Sequence, residues 1–289
     1  MRTIRTIAEM RAWSARAREQ RRTVALVPTM GAFHAGHHAL MRAARASHDE
    51  VVVSLFVNPA QFDEASDLAA YPRTEDRDAA EAAELGVDVL FAPAVAELYP
   101  QGFSTSVSVA GLSDLLEGEQ RGPGHFAGVC TVVAKLLNVV QPHAAFFGRK
   151  DAQQVAVVRR MVRDLDMPVR IEVVPTVRDA DGLALSSRNA RLSAAERERA
   201  LALSRALRAA EAAVAAGERD AARVRAAGAE ELRARGVVPE YLALVDPDTF
   251  APAERVDAPV LVAVAARIGA TRLIDNAVLS PVPVPVATG

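Results

Sequence analysis

Two histidines follow an apolar segment near the amino terminus. The stretch 27-VPTMGAFHAGHHAL-40 leaves a β-branched run and then places His34 and His37 beside Gly31 and Gly36. His34 and His37 are three positions apart, so they share a face of a helical first turn. An imidazole N–H at that place can donate to phosphate oxygens and stabilise charge that develops in a transition state. The glycines let the backbone approach a ligand at the positive end of the helix. The spacing is therefore compatible with phosphate chemistry.

A plainer interpretation of the same histidines stays open. H-x-x-H pairs are common at the start of surface helices, and taken alone His34 and His37 fit that interpretation about as well. His38 falls off the face that the other two share, so we predict a surface position for it. The chain contains neither a G-x-x-x-x-G-K-[ST] phosphate loop nor a G-x-G-x-x-G dinucleotide motif. If phosphate binds here, histidines at a helix start replace the phosphate loop.

The composition is that of a globular protein, and it excludes several kinds of site. Of the 289 residues, 51% are hydrophobic and 24% are charged, a balance that can fill a core. The net charge of −2 gives no overall basic surface, so we expect neither nucleic acid nor a membrane as a partner. Cys130 is the single cysteine, which excludes an intramolecular disulfide and thiolate zinc clusters and fits a reducing cytoplasm.

The arginine-rich amino-terminal segment does not have the pattern of a signal peptide. In residues 1–22 charged side chains interrupt the apolar ones, so a continuous apolar stretch is missing. The segment is helical in pattern, and Thr6 and Glu9 predict a capping box that opens a surface helix. No uncharged apolar run reaches the roughly 18 residues of a membrane span. We therefore expect a soluble, cytoplasmic protein.

Apolar runs and helical patterns alternate through the first part of the chain. The apolar runs lack polar alternation, which is typical of strands buried on both faces of a parallel sheet. They are 23-TVALVP-28, 51-VVVSLFV-57, 87-VDVLFAP-93, 144-AAFFG-148 and 169-VRIEVVP-175. Residues 74–86 and 126–140 have helical spacing, and Cys130 in the second segment is expected to pack rather than react. The pattern predicts a Rossmann-like, doubly wound α/β domain over residues 1–175, with ligands outside the carboxyl ends of the strands.

The pattern changes after Pro175, where helical segments come first. Ser193 and Glu196 form a second capping box. It opens a helix that runs to about Gly217, and another helical segment covers 219–236.

Strand patterns complete the second part of the chain. They occupy 240–246 and 260–279, and Ile-Gly-Ala-Thr at 268–271 predicts a hairpin turn. We therefore predict a smaller α+β domain over residues 176–279. The Pro-rich tail 280–289 is predicted to be disordered.

Six segments, in this order and at this spacing, resemble the pantoate–β-alanine ligase (pantothenate synthetase) family of HIGH-motif nucleotidyltransferases. They are 28-PTMGAFHAGH-37, 56-FVNPAQF-62, 71-YPRTEDRD-78, 124-GHFAGV-129, 147-FGRKDAQQ-154 and 176-TVRDADGLALSSRN-189. The resemblance covers nearly the whole chain, and the six segments together are very specific.

The resemblance implies an ATP-dependent ligase. Members of this family activate (R)-pantoate with ATP to an enzyme-bound pantoyl adenylate and release pyrophosphate. The amine of β-alanine then attacks the acyl carbon, and AMP leaves to give pantothenate, a precursor of coenzyme A. Because the adenylate hydrolyses easily, the site must exclude water. The resemblance also implies Mg²⁺, held largely by phosphate oxygens and water, and a homodimer.

Carried over residue by residue, the resemblance implies two groups of ATP contacts. The first group lies in the histidine segment and comprises Met30, Gly31, Ala32, Phe33, His34, Ala35, Gly36 and His37. The second group comprises Gly148, Arg149, Lys150, Asp151, Val177, Leu185, Ser186, Ser187 and Arg188. His37, His34 and Lys150 would be catalytic, with His37 as the proton donor or charge-stabilising group. Asp151 would accept from the ribose hydroxyls.

Some of these contacts also have plainer interpretations. Lys150 can be a solvated lysine, although a cation is disfavoured at the start of a helix. Ser186, Ser187 and Arg188 can wrap triphosphate oxygens, or they can form an ST-type turn before the helix at Ser193. If they bind phosphate, closure of the smaller domain as a lid is expected to bring them onto ATP.

The resemblance places pantoate at paired glutamines. Gln61 and Gln154 would hold the acid, since a carboxamide can both donate to and accept from carboxylate and hydroxyl groups. Asn58 would line the same region, and His125 and Arg121 would fall near the substrate. Either glutamine alone would pass for an ordinary surface residue.

The acidic cluster of Glu75, Asp76 and Asp78 also has two interpretations. It either assists Mg²⁺ or forms a solvated helix start, and we assign no metal ligands from the sequence.

Three positions depart from the family pattern. Gly122 is an additional residue after Arg121, which we leave out of the site for that reason. Leu185 stands where the family often has Met, a change of similar volume. Arg149 replaces the usual Glu and adds a positive charge beside Lys150.

Other functions stay open at this point. Another HIGH-motif nucleotidyltransferase with a phosphate-bearing substrate would need further cationic contacts and would lack the paired glutamines. A nucleotide-binding regulatory protein without turnover would be expected to have lost catalytic groups, whereas this chain retains His34, His37, Lys150, Ser186, Ser187 and Arg188.

Overall fold

The computed structural model describes residues 1–62, 65–122 and 124–281, and of residues 65–67 it describes the backbone alone. The predicted disorder of the tail therefore lies, from residue 282 onward, outside the described residues. Within the described part of the chain, no helix is both long and apolar enough to cross a membrane.

The chain divides into two compact units. The first comprises residues 1–149 and 153–177, and the second comprises residues 150–152 and the chain from Arg178 onward. The division after Val177 lies close to the predicted one after Pro175. Lys150–Ala152 belong to the second unit, in which Asn276 Nδ2 donates to the Lys150 carbonyl oxygen at 2.8 Å.

The first unit is built on a six-stranded sheet with the order β1-β4-β3-β2-β5-β6. All of its strand pairs are parallel. The strands are β1 (Arg2–Ile4), β2 (Val24–Thr29), β3 (Glu50–Leu55), β4 (Val89–Phe91), β5 (Ala144–Gly148) and β6 (Arg170–Val174). The helices are α1 (Ile7–Glu19), α2 (Ala35–Ser47), α3 (Ala65–Ala70), α4 (Glu75–Glu84), α5 (Val95–Leu98), α6 (Glu117–Arg121), α7 (Gly124–Val140) and α8 (Ala152–Asp164). The predicted doubly wound α/β fold is confirmed.

The strand order reverses between β2 and β5, which lie side by side at the centre of the sheet. From β2 the chain proceeds through β3 and β4 to one side, and from β5 it proceeds to β6 on the other. Such a reversal opens a crevice outside the carboxyl ends of the two central strands, where α/β proteins bind ligands. Here those ends are Thr29 and Gly148.

Strand β1 corrects the prediction that the first 22 residues are helical throughout. Arg2, Thr3 and Ile4 pair in parallel with β4 at the sheet edge, and Ile4 is buried against the core. Helix α1 begins at Ile7, because the Thr6 side chain accepts from the Glu9 N–H and ends the extended segment. The predicted cap is therefore present, one short strand later than the pattern indicated.

Apolar burial explains why the strands lack polar alternation. Val24 to Val27 in β2 and Val51 to Val53 in β3 are fully or almost fully buried. Helix α2 packs Leu40, Met41 and Ala44 into the same core. In α7 the Cys130 thiol is buried, and burial raises its pKa to about 11, which keeps it protonated. The interpretation of Cys130 as a packing residue is confirmed.

The second unit combines a small antiparallel sheet with two helices. Its strands β7 (Pro239–Val245), β8 (Val260–Ile268) and β9 (Thr271–Leu279) pair in the order β7-β8-β9. Helices α9 (Ala194–Ala215) and α10 (Ala221–Arg233) bury apolar faces with β8 and β9 in one core. The predicted α+β character of this part of the chain is confirmed.

Two local signals in the second unit are confirmed. Ser193 Oγ accepts from the Glu196 N–H at 3.3 Å, and the Glu196 carboxylate accepts from the Ser193 N–H at 2.9 Å. This reciprocal capping box opens α9. A two-residue turn links β8 to β9, where Ile268 pairs with Thr271 and Gly269 has a φ of 59°. Glycine adopts that positive φ without strain.

Candidate active site

The polar segments predicted to bind ligands follow neighbouring strands of the central sheet. Asn58 and Gln61 come after β3, His34 and His37 come after β2, and the 3₁₀ turn Arg149–Asp151 comes directly after β5. In a parallel sheet the carboxyl ends of all strands lie at the same end of the sheet. Within the first unit, the fold thus brings the segments that follow β2 and β3 together at the carboxyl ends of these strands.

The histidine segment begins with a tight backbone turn. Gly31 has a φ of 84° and Ala32 a φ of 53°, so two consecutive residues are left-handed. A Cβ atom on Gly31 would lie 2.9 Å from Asp78 Oδ2. Gly31 is therefore required both by its conformation and by the approach of a carboxylate.

Asp78 is the residue that holds this turn. Its side chain is fully buried in the first turn of α4, and its oxygens accept from the Ala32 N–H at 2.8 Å and the Phe33 N–H at 2.9 Å. The Thr74 hydroxyl donates to the same carboxylate at 3.0 Å. A helix N-terminus also stabilises the negative charge. Asp78 therefore shapes the loop that carries the histidines.

The interpretation of the acidic cluster as a solvated helix start is wrong for Asp78. Asp76 is exposed, and Glu75 forms an ion pair with Arg5. In the described part of the chain no group of three His, Cys, Asp or Glu side chains is placed to hold a metal ion. An aspartate at position 78 gives the same sequence pattern whether its carboxylate faces water or holds a loop. The sequence therefore did not reveal that Asp78 holds the histidine loop.

His34 and His37 form the N-terminal cap of α2. His34 Nδ1 accepts from the Gly36 N–H at 3.1 Å, and His37 Nδ1 accepts from the His34 N–H at 3.3 Å. A neutral imidazole that accepts at Nδ1 carries its proton on Nε2. The two rings lie 4.2 Å apart between centroids. The cap therefore fixes both side chains as Nε2–H donors on one face.

Gly36 has a role that differs from the predicted one. A Cβ atom at this position would lie 2.8 Å from His34 Cε1 and 2.9 Å from His34 Nδ1. The glycine makes room for the folded-back imidazole of His34. His38 points elsewhere, with its Nε2 atom 2.8 Å from Glu81 Oε2, so it does not join the other two histidines.

Gln61 and Asn58 lie together after β3. Asn58 is buried, and its Nδ2 group donates to Gln61 Oε1 and to the Gly128 carbonyl oxygen, each at 3.0 Å. Gln61 Nε2 donates to Met30 Sδ at 3.2 Å, which joins this segment to the histidine loop. Asn58 was predicted to line the pantoate region, but these contacts are with the protein itself.

The two adjacent glutamines at the start of α8 have different surroundings. Gln153 is buried, accepts from the Glu117 N–H at 3.0 Å and donates to the Leu112 and Leu115 carbonyl oxygens. Gln154, the predicted substrate contact, is half-buried. Of the two, Gln153 is the one that the fold uses for structure.

His125 contacts the turn that carries Gln61, whereas Arg121 is paired within its own helix. His125 Nδ1 is 2.9 Å from the Gln61 carbonyl oxygen, so His125 supports the same turn. Arg121 Nε donates to Glu117 Oε2 at 3.2 Å within α6. The additional Gly122 has a φ of 82° and follows the last residue of α6, where a left-handed glycine can end a helix.

In the second unit, Lys150 lies in the turn after β5. Its Nζ atom is 3.3 Å from Asp151 Oδ1, and half of the Asp151 side chain is exposed. Asn276 of β9 holds the Lys150 carbonyl group, as described above. The backbone of Lys150 is thus fixed to the small sheet, while its ammonium group lies beside a partly exposed carboxylate.

The Ser186–Arg188 segment forms the predicted ST-type turn. Ser186 Oγ accepts from the Arg188 N–H at 3.3 Å and leads into a 3₁₀ turn, Ser187–Arg191. Asn189 Nδ2 donates to the Ala184 carbonyl oxygen at 2.9 Å. A hydrogen-bonded turn of this kind presents hydroxyl and guanidinium groups side by side, so the turn and a phosphate role are compatible.

An ion pair anchors the base of that segment. Arg178 donates to both oxygens of the buried Asp275 carboxylate, at 2.6 Å and 3.0 Å. Arg178 also bridges to Ala184, just before the serines. The pairing of Arg178 with Asp275 could not be predicted from the sequence, because nothing in their spacing connects residues so far apart in the chain.

Comparison with known proteins extends these observations. A family model described as pantoate-beta-alanine ligase matches residues 2–278. The pantothenate synthetase of Moorella thermoacetica is 51% identical over 280 residues, which cover 96% of this chain and 99% of that protein. The crystal structure of pantothenate synthetase from Thermus thermophilus is 50% identical, with a TM-score of 0.92 over 97% of this chain and 100% of that one.

A more distant solved structure carries ligands. It is pantoate-beta-alanine ligase from Francisella tularensis, complexed with beta-gamma ATP and beta-alanine. It is 32% identical, with a TM-score of 0.79 over 96% of this chain and 97% of that chain. The similarity to these proteins extends over both units.

Proposed function

This chain belongs to the pantoate–β-alanine ligase family, and we propose that it joins (R)-pantoate to β-alanine with ATP, releasing AMP and pyrophosphate. It is accordingly a ligase that forms a C–N bond. The observation that carries the proposal is the pair of imidazoles held as Nε2–H donors at the switch point of the sheet. They are placed to meet phosphate oxygens where an α/β fold binds its ligands.

The first step makes a mixed anhydride. A carboxylate oxygen of pantoate attacks the α-phosphorus of ATP. The bond between the α-phosphorus and the oxygen that bridges it to the β-phosphorus breaks, and pyrophosphate leaves. Negative charge grows on the phosphate oxygens during this displacement. Nε2–H groups of His34 and His37, already fixed by the helix cap, stabilise that charge without further reorganisation.

The second step forms the amide. The neutral amine of β-alanine attacks the acyl carbon, the acyl C–O bond breaks, AMP leaves, and the amine loses a proton. His37 is our candidate for the group that stabilises the charge on the departing phosphate. Because the mixed anhydride also reacts with water, the yield depends on excluding water from the site.

The remaining ATP contacts are proposals from family membership. Lys150 supplies a positive charge to the phosphates, and Ser186, Ser187 and Arg188 supply hydroxyl and guanidinium donors for the departing pyrophosphate. Gly148, Arg149, Asp151, Val177 and Leu185 complete the predicted contacts with ATP. The role of the smaller unit as a lid stays a prediction.

Mg²⁺ is proposed to enter with ATP rather than to occupy a protein site. The described residues offer no group of three candidate ligands, and both oxygens of the Asp78 carboxylate are engaged by backbone N–H groups. These residues do not fit a protein-held ion, so we derive no step through one. Phosphate oxygens and water are the ligands that Mg²⁺ usually takes with nucleotides.

Gln61 and Gln154 are proposed to hold pantoate. Carboxamides at two positions can bind a small acid that also carries hydroxyl groups. That Asn58 lines this region stays a prediction, and its hydrogen bonds within the protein support a role in holding Gln61.

We also propose a cytoplasmic homodimer, from family membership and from the single cysteine. Strand β6 forms one edge of the six-stranded sheet and carries Arg170 and Glu172, which have opposite charge. Light scattering that gave the mass of one chain at micromolar concentration would count against the homodimer.

The reaction is tested with the purified protein, ATP, Mg²⁺ and D-pantoate, by following pyrophosphate and AMP with and without β-alanine. We expect AMP and pantothenate only when all substrates are present. ATP binding without β-alanine-dependent AMP would instead indicate another acceptor or a regulatory protein.

A further inference from the structure

Asn58 is held in one orientation by backbone groups. Its Nδ2 group donates to the Gly128 carbonyl oxygen at 3.0 Å, and its Oδ1 atom accepts from the Ala60 N–H at 3.3 Å. A rotated amide would set oxygen against a carbonyl oxygen and NH₂ against an N–H group, which costs two buried hydrogen bonds. The backbone therefore favours the orientation in which the Asn58 NH₂ group faces Gln61.

Tyr99 completes the hydrogen bonds of this amide. Its hydroxyl donates to Asn58 Oδ1 at 2.8 Å. The ring packs between Phe56 and Phe103, and burial raises the pKa of Tyr99 to about 12, so the hydroxyl keeps its proton at neutral pH. Tyr99 thus adds a second donor to Asn58 Oδ1 and reinforces the orientation set by Ala60.

The orientation passes from Asn58 to Gln61. The second N–H of Asn58 Nδ2 must find an acceptor, and it meets Gln61 Oε1 at 3.0 Å. The Gln61 NH₂ group then faces away from Asn58, toward Met30 Sδ at 3.2 Å. Sulfur is a weak acceptor, so a substrate oxygen would be a better partner for this group.

We propose that Asn58 and Tyr99 are positioning residues that fix the Gln61 carboxamide with its NH₂ group toward pantoate. Gln61 then recognises a hydrogen-bond acceptor of the substrate, a carboxylate or hydroxyl oxygen. The inference rests on the proposed function. It states that Gln61 donates a hydrogen bond to pantoate, whereas an unrestrained glutamine could either donate or accept.

The packing around Gln61 supports this chain of contacts. A Cβ atom on Gly128 of α7 would overlap the Ala60 carbonyl group, so the helix and the 3₁₀ turn Pro59–Gln61 are in close contact. His125 holds the Gln61 carbonyl oxygen from the same helix. The backbone of Gln61 is thereby fixed, and the amide orientation is the remaining variable that Asn58 and Tyr99 set.

Tyr99→Phe tests the proposal, because it removes one hydroxyl and keeps the ring. We expect the KM for pantoate to rise about fivefold, because a larger fraction of the enzyme then holds Gln61 turned away from the substrate, with the KM for ATP within about twofold. Tyr241→Phe in β7 makes the same chemical change in the second unit and should alter neither constant. Equal changes in both constants for Tyr99→Phe, or no change, would overturn the proposal.

Gln61→Glu tests the donor direction and does not depend on how well Tyr99→Phe folds. A carboxylate oxygen in place of the NH₂ group would face the acid, so pantoate use should weaken about 100-fold at pH 8 and recover partly as pH falls. Pantoate use within about threefold of wild type would overturn the donor assignment. If the wild type makes no pantothenate, the proposed function fails and takes the inference with it, whereas failure in the variants alone refutes only the inference.

Discussion

The histidine segment after β2 and the Ser186–Arg188 segment of the second unit are both proposed to bind phosphates, but they are held in different ways. In the first, His34 and His37 are themselves the cap of α2. In the second, the anchors are Arg178, Asp275 and Asn189, and of the proposed phosphate contacts Ser186 alone is shown capping the turn with its side chain. Chemistry and folding are therefore coupled in one segment and largely separate in the other.

The difference is reflected in what each segment can tolerate. A residue that both caps a helix and stabilises a transition state cannot change without affecting stability and rate together. A residue presented on a turn anchored elsewhere can change with a loss of rate alone. Substitutions in the histidine segment should therefore lower both turnover and the free energy of unfolding, whereas substitutions in the Ser186–Arg188 segment should lower mainly turnover.

The largest effect is expected for His37→Ala. Loss of the Nε2–H donor should lower the rate of pantoyl-adenylate formation about 10³-fold. Loss of the Nδ1 acceptor should also lower the free energy of unfolding by about 1 kcal/mol, since the His34 N–H loses its cap. Pyrophosphate release and urea unfolding measure the two quantities.

His37→Asn is the matched variant for this position. The asparagine oxygen can replace Nδ1 as the acceptor, but nothing replaces Nε2–H. We expect the same fall in rate with most of the stability restored. If His37→Asn instead kept near-normal turnover, the donor role would have to move to another residue.

A smaller effect is expected for Arg188→Ala. Loss of the guanidinium should reduce kcat/KM for ATP about 100-fold, while the free energy of unfolding changes by less than about 0.5 kcal/mol. Arg191→Ala, in the same 3₁₀ turn and outside the proposed site, should leave both unchanged. A stability loss for Arg188→Ala as large as that of His37→Ala would remove the contrast between the two segments.

The positions of both segments follow from patterns that a sequence can show. Most strands of the central sheet are apolar runs of sufficient length, and the two segments carry glycine-rich or serine-containing turn signals of their own. The exception is β1, in which Ile4 is buried and Arg2 and Thr3 are exposed. A strand of three residues is too short to show a hydrophobic periodicity, so pairing with β4 determines its extended conformation.

The supporting residues could not be predicted in the same way. Asp78 has the spacing of a solvated helix start, and Arg178 and Asp275 are brought together only by the fold of the second unit. Asn58 was identified through the motif, but its role depends on Gly128 and Tyr99, which lie on other elements. Motifs indicate the reacting groups, whereas long-range hydrogen bonds determine which way those groups face.

The smallest loss of activity is expected for Asp78→Asn, which acts on the histidine segment from outside it. Asparagine offers one acceptor oxygen where aspartate offers two, and its NH₂ group would meet a backbone N–H of Ala32 or Phe33. We expect a loss of about 2 kcal/mol in the free energy of unfolding and about a tenfold loss of turnover. Urea unfolding and AMP formation measure them.

Asp76→Asn supplies the control, because it removes the same charge from the same helix turn at an exposed position. It should change neither quantity appreciably. If both variants lowered turnover equally, the effect would belong to the charge of α4 rather than to the hydrogen bonds of Asp78. If Asp78→Asn lost stability and kept full turnover, the left-handed turn at Gly31 and Ala32 would not be needed to place the histidines, and the coupling of chemistry to folding would be confined to the α2 cap itself.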